Sequence, residues 1–255
     1  DRPFILYLCS SNFMAPNEAD FVRRWLEKAH SCGDPVLADI GVLIRPYPEH
    51  AKPFDRFDLD RFPNVAIHPR GGGYPLEEDA RADFFDAIFH SAAVVGVNTS
   101  AMIESAIIGR SVLTVLAEEF KESQEGTIHF HYLRSDNGGF LHVGSNIEEH
   151  LLQLSRVVAG GEEERQRIER FKERFIRPWG LGNPCIPRVV EAIEGLEALR
   201  SPPRGRHMRG LLARPLMVLL ARLTARLWNS REFKARAEQW KAAARSAEAD
   251  GGDPL

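Results

Sequence analysis

Cysteine is scarce in this sequence: three in 255 residues, Cys9, Cys32 and Cys185, far apart along the chain. An odd number without regular spacing argues against a disulfide framework or a cysteine metal site, and predicts a reducing compartment. A secretory leader is absent, and the chain opens at Asp1 directly on an apolar strand, which predicts a further piece on the amino-terminal side. No stretch reaches the ~20 apolar residues of a membrane span. Nor is there a dinucleotide fingerprint, because Gly71, Gly72 and Gly73 lack the GxGxxG spacing and no helix starts directly after them. Net charge is only −3. What remains, with 44% hydrophobic residues, is a chain able to bury a full core as one large domain or as a domain plus an appendage.

The most informative stretch runs from Ala92 to Leu116, AAVVGVNTSAMIESAIIGRSVLTVL. Two β-branched runs flank a segment that opens on Asn98, Thr99 and Ser100 and closes at Gly109. That pattern predicts strand, tight turn, helix and strand. If Thr99 or Ser100 caps the helix, the first backbone N–H groups point out of the carboxyl end of the sheet, where the helix dipole favours an anion such as phosphate. Glu104, one turn after Ser100, shares that face and can accept from a hydroxyl nearby. A capped, core-facing crossover helix with no ligand would read the same way.

Upstream, Phe4 to Cys9 is continuously apolar, as expected of a parallel strand covered on both faces. Ser10 and Ser11 follow at its end, where ligands approach such sheets, although Ser-Ser-Asn is equally ordinary turn chemistry. Asn17 is the expected cap of a helix with Phe21, Val22, Trp25, Leu26 and Ala29 at helical spacing. A second strand, Asp39 to Arg45, ends on an arginine that can hold a phosphate or pair with a nearby carboxylate. A third, Val65 to His68, leads into Pro69, Arg70 and the glycines. Ala80 to Ser91 reads as a helix turning Phe84, Phe85, Ile88 and Phe89 toward the sheet. After Leu116, residues 117–133 read as a loop rich in Glu, Gln and His, with His129 and His131 on alternate positions of an HFH run. Two histidines without a third ligand do not make a metal site. Phe140 to Val143 is a further strand, and helices follow at 146–158, 162–175 and 186–199.

The carboxyl-terminal part differs in charge. From Arg200 to Arg245 twelve Lys and Arg stand against Glu232 and Glu238. This divides the chain into a domain at 1–199, a linker at 200–210, a basic amphipathic helical tail at 211–247 and a disordered end at 248–255. The tail suits an anionic membrane surface, and equally a missing domain or another subunit. Nucleic acid is not expected as a partner, because the tail's aromatics are sparse and carry no recognition motif.

The order of these elements, with Ser or Thr at a helix start, Glu four or five residues on and small residues up to a Gly, resembles the nucleotide-sugar-binding half of a GT-B glycosyltransferase. Arg45-Pro46-Tyr47-Pro48 is similar to the RPHP element of bacterial capsule and CDP-glycerol-type transferases, with Tyr47 in the His position. The resemblance covers about Phe4 to Leu199. It implies a Rossmann-like, doubly wound α/β sheet of about six parallel strands that serves as the carboxyl-terminal domain. It implies a donor diphosphate held by Ser10, Ser11, Arg45, Arg70, Asn98, Thr99 and Ser100, and a ribose held by Glu104. The position of Glu119, Gln124 and His129 implies contacts to the sugar.

By the same resemblance the chain takes a nucleotide-sugar donor and a glycan or lipid-linked acceptor, needs no cofactor or metal, and borrows its catalytic base from an amino-terminal acceptor domain. Surface-polysaccharide synthesis in the cytoplasm, at the inner face of the membrane, is the expected setting. An epimerase of the same architecture would instead use acid and base groups such as Glu118, Glu119 and Glu122. A scaffold that keeps the fold without turnover is the third possibility.

Overall fold

The computed structural model describes residues 3–198 and 215–224. Six strands form one sheet: β1 Phe4–Leu8, β2 Gly41–Arg45, β3 Val65–Ile67, β4 Ala93–Gly96, β5 Val112–Val115 and β6 Leu141–Gly144. Every pairing is parallel and the spatial order is β3-β2-β1-β4-β5-β6. Parallel strands need a crossover between them, and the intervening chain supplies helices that cover both faces. These are α1 Glu18–Ser31, α2 Pro35–Ala38, α3 Glu78–Phe89, α4 Ala101–Ile108, α5 Lys121–Gln124 and α6 Ile128–Leu133; α7 Ile147–Ala159, α8 Glu162–Phe171 and α9 Cys185–Ala198 follow β6. The expected doubly wound α/β architecture is therefore present.

Strand alternation separates two cores. Ile5, Tyr7, Val42, Ile44, Val95 and Leu113 face α1 and α7, meeting Trp25, Leu26 and Leu154. Leu6, Leu8, Val94, Val112 and Leu141 face the other side, against Met102, Ala106, Phe130 and Phe171. Trp25 is fully buried with its ring 5.7 Å from Tyr7 and 6.2 Å from His150. Burial holds the His150 imidazole neutral, pushing its pKa down to about 4.

Contacts divide the chain into a unit Asp1–Cys185 and a second unit Ile186–Leu255. In the second, α9 presents Ile186, Val189, Val190 and Ile193 to solvent, and residues 215–224 are helical and exposed. Among the described residues no helix is long and apolar enough to cross a membrane. The linker expected at 200–210 and the end expected at 248–255 lie outside the described residues, as does most of the tail.

Four local expectations change. Asn17 occupies the N-cap position of α1 in a left-handed conformation (φ 58°), and its side chain makes no capping bond. Phe85 and Phe89 lie on the outer side of α3, 46% and 43% exposed, and stack on each other; only Ala87 and Ile88 of that helix are buried. The HFH run, expected within a loop, lies in the helix α6, where alternate positions point different ways, so His129 and His131 do not share a face. The charged helix at 162 ends as a regular helix at Phe171 and continues to Ile176 as a wider π turn.

Candidate functional site

In a sheet of this order the strand sequence reverses between β1 and β4, and the chain leaves those two neighbouring strands toward opposite faces. The crevice this leaves at their carboxyl ends is where the turns Cys9-Ser10-Ser11 and Val97-Asn98-Thr99-Ser100 meet. Two close approaches define it. Gly96 of β4 lies so near β1 that a Cβ there would stand 2.8 Å from the Leu8 carbonyl oxygen. Beyond it the Asn98 amide donates to the Ser10 hydroxyl oxygen at 3.3 Å.

The start of α4 opens on this crevice. Ser100, its N-cap residue, has helical backbone angles (φ −58°, ψ −28°), so its side chain does not turn back to cap the helix. The first helical bonds are Met102 N–H to the Thr99 carbonyl and Ile103 N–H to the Ser100 carbonyl. The amides of Thr99, Ser100 and Ala101 have no partner among the described residues, Thr99 is half-buried and Ser100 is exposed. These are donors without acceptors at the positive end of a helix. At the far end Gly109 (φ 100°) closes α4, and Arg110 N–H returns to the Ser105 carbonyl, the Schellman arrangement that glycine permits.

Two recesses adjoin this helix start. One, of about 240 Å³, is lined among others by Arg45, Tyr47, Tyr74, Phe84, Thr99 and Glu104. The second, of about 200 Å³, is lined by Ser11, Met14, Tyr47, Asn98, Thr99, Ser100 and His129. Six residues expected at a diphosphate or ribose (Ser11, Arg45, Asn98, Thr99, Ser100 and Glu104) are thus brought together, and His129 stands beside them.

Several of these side chains are already engaged. Arg45 is 6% exposed, with its guanidinium on Asp83 at 2.6 Å and over the Phe84 ring at 5.3 Å. Asp83 also meets His68 at 3.3 Å. Burial tends to raise the Asp83 carboxyl, but Arg45 and His68 outweigh it, so it sits below its ordinary range. Asn98 is 3% exposed, donates to the Ser123 carbonyl and meets His129 Nε2 at 3.2 Å. It shapes the recess with its side chain committed elsewhere.

Four expected contacts lie elsewhere. Gln124 is fully buried at the end of α5, where it donates to the Thr114 hydroxyl and to the Val97 and Val115 carbonyls, and accepts from the Ala117 amide. It ties the β5 exit to the β4 exit from inside the core and cannot reach a sugar. Replacing it with leucine removes these bonds with little change in volume, so Gln124→Leu is expected to lose about 2–3 kcal/mol in urea unfolding; unchanged stability would contradict the assignment. Ser10 is likewise fully buried, a link between turns and not a surface for ligand. Glu119 is ion-paired with Arg24, and Arg70 is exposed; neither lines the two recesses. Glu118 pairs with Lys121 and also lies outside them.

Residue-by-residue reading of the sequence missed Tyr74, Phe84 and Asp83 as parts of this site. Tyr74 stands edge-on to Tyr47 with ring centroids 6.3 Å apart and donates to Glu49 at 2.9 Å. Hydrogen bonding with Tyr47 first, then Glu49, raises its phenol above the ordinary value. Nothing local marks these residues, because α3 and the loop before it come to Arg45 only in the fold. Among the described residues no group of three or more His, Cys, Asp or Glu is placed to hold a metal ion.

No protein-family model matches the chain, and no curated protein does. Solved structures do. The wall teichoic acid polymerase TagF aligns with 79% of this chain and 45% of its own, at 16% identity and a TM-score of 0.47. The glycotransferase of kitacinnamycin aligns with 75% of this chain and 43% of its own, at 13% identity and a TM-score of 0.46. The UDP-GlcNAc 2-epimerase of Methanocaldococcus jannaschii, solved with UDP-GlcNAc and UDP, aligns with 68% and 46%, at 15% identity and a TM-score of 0.41. The chain spans less than half the length of each of these proteins.

Proposed function

We propose that the crevice at the carboxyl ends of β1 and β4 binds the diphosphate of a nucleotide-activated sugar, and that the chain is the donor-binding part of a glycosyltransferase. The observation that carries this reading is the trio of unpartnered amides at residues 99–101, opening on recesses that Arg45 and Glu104 also reach. Fixed N–H donors that need no rearrangement stabilise the charge that grows on a departing nucleoside diphosphate. Glu104 is exposed and one turn along α4, placed to accept from ribose hydroxyls. His129 approaches the sugar side. Arg45 lines the recess with its guanidinium already held by Asp83, whose carboxylate offsets much of its charge, so it contributes less to holding the diphosphate than the amides do.

The acceptor, a glycan or a lipid-linked glycan, would be held by another domain, which would supply the catalytic base. Surface-polysaccharide synthesis in the cytoplasm, with the basic tail at 211–245 resting on an anionic membrane, completes the proposal. Catalysis on this chain is proposed to use donor charge and position, without a resident metal.

Calorimetry with UDP, CDP, GDP and CMP tests the reading. One of them is expected to bind, and Glu104→Ala is expected to weaken it about tenfold, the value of one hydrogen bond to a charged acceptor. Binding to none favours a scaffold. Product analysis with the matching sugar donor and the complete protein then separates transfer from epimerisation.

A further inference from the structure

Glu18, the first residue of α1, is fully buried. Its Oε2 accepts from the Ser10 amide at 2.7 Å and its Oε1 from the Tyr7 hydroxyl at 3.3 Å. No Lys, Arg or His among the described residues pairs with it; the titratable groups that face it are Tyr7 of β1 and Cys9 just after that strand, both neutral at ordinary pH. A buried carboxyl without a cation is costly, and packing an apolar residue there would be cheaper. This one sits directly behind the crevice. The Ser10 amide donates to it while the Ser10 hydroxyl accepts from the Asn98 amide, so one residue joins the carboxyl to the turn that presents Thr99, Ser100 and Ala101.

We infer that Glu18 is a positioning residue for the oxyanion site, which holds its anion more tightly while this carboxyl carries a proton. The inference rests on the donor-site reading and adds a proton linkage to it. When the carboxyl ionises, its charge adds to the potential at the adjacent crevice and opposes a second anion there. It also tightens its hold on the Ser10 amide and so draws the Ser10–Asn98 bond with it. Burial pushes the Glu18 carboxyl up to about 8, which brings the event into the working range of a cell.

Amide NMR of the whole chain between pH 6.5 and 9, with and without sodium sulfate, provides the test; sulfate keeps a constant charge over that range. The Ser10 and Asn98 amides are expected to titrate together, and sulfate affinity at 99–101 to fall about three- to tenfold as pH rises. In Glu18→Gln both responses are flat. In Ser10→Ala, which leaves Glu18 in place, the residue-10 amide still titrates and the Asn98 amide does not. An Asn98 amide that ignores pH in the parent chain, or that still titrates in Glu18→Gln, overturns the inference. So does sulfate binding with the same pH dependence in Glu18→Gln. Absence of sulfate binding at every pH overturns the donor-site reading instead, and the Asn98 titration then still decides whether Glu18 governs this turn.

Discussion

The Ser100→Asp variant is expected to melt slightly later than the parent chain and to bind a nucleoside diphosphate about 100-fold more weakly. The two effects have one cause. Residue 100 stands at the positive end of α4, where the amides of residues 99–101 have no acceptor among the described residues. A carboxylate there interacts favourably with the helix dipole, worth about 0.3–1 kcal/mol. The same charge occupies the place of the phosphate and repels it, removing two or three charge-assisted hydrogen bonds of about 1.5–3 kcal/mol each at most. A merely structural helix start would give the stability gain alone. Isothermal titration beside a thermal melt separates the cases, and a variant that melts later with unchanged affinity contradicts the site.

The second large effect is on stability and depends on pH. Glu18 titrates near 4.5 when unfolded and at about 8 when folded. The folded chain therefore holds a proton that the unfolded chain has released throughout the interval between them. Stability contributed by the neutral carboxyl is complete below pH 4.5, declines as pH rises, and is gone above about 8. Glu18→Gln keeps an acceptor for the Ser10 amide and cannot ionise. Its stability relative to the parent is expected to improve steadily from pH 5 to pH 8.5, by on the order of 4 kcal/mol across that range.

His150 acts in the opposite sense. Its folded value of about 4 lies below the unfolded 6.5, so stability is lost as pH falls through that window. Between pH 4.5 and 6.5 the two slopes largely cancel in the parent chain; above 6.5 the Glu18 slope stands alone. Urea unfolding of both proteins at half-unit steps resolves it, and parallel curves for parent and Glu18→Gln would contradict the buried, protonated carboxyl.

The parts of the molecule that were legible in the sequence are those governed by neighbours along the chain. Apolar runs bounded by turns marked the central strands β1, β4 and β5 to within a few residues, because strands buried on both faces have no other pattern available. Asn146 is a clear N-cap of α7, its side chain accepting from the Glu149 amide at 2.8 Å. The Gly109 stop of α4 was equally plain, whereas the side-chain cap expected of Thr99 or Ser100 is not made. Long-range packing decided the rest. Gln124 lies in a run of charged residues and reads as a surface amide, yet β4 and β5 bring four backbone and hydroxyl partners around it. Phe85 and Phe89 fit the apolar stripe of α3 by spacing, and the geometry of that helix turns them outward. Glu18 looks like any acidic residue of a first helical turn, which dipole arguments place in solvent; only the crevice behind Ser10 explains its burial.

The most direct measurement is a crystal structure of this chain grown with whichever nucleotide calorimetry selects. Phosphate oxygens are expected within about 3 Å of the amides of Thr99, Ser100 and Ala101, with the ribose hydroxyls toward Glu104. A nucleotide seated anywhere else, with those three amides left to solvent, would contradict the donor site.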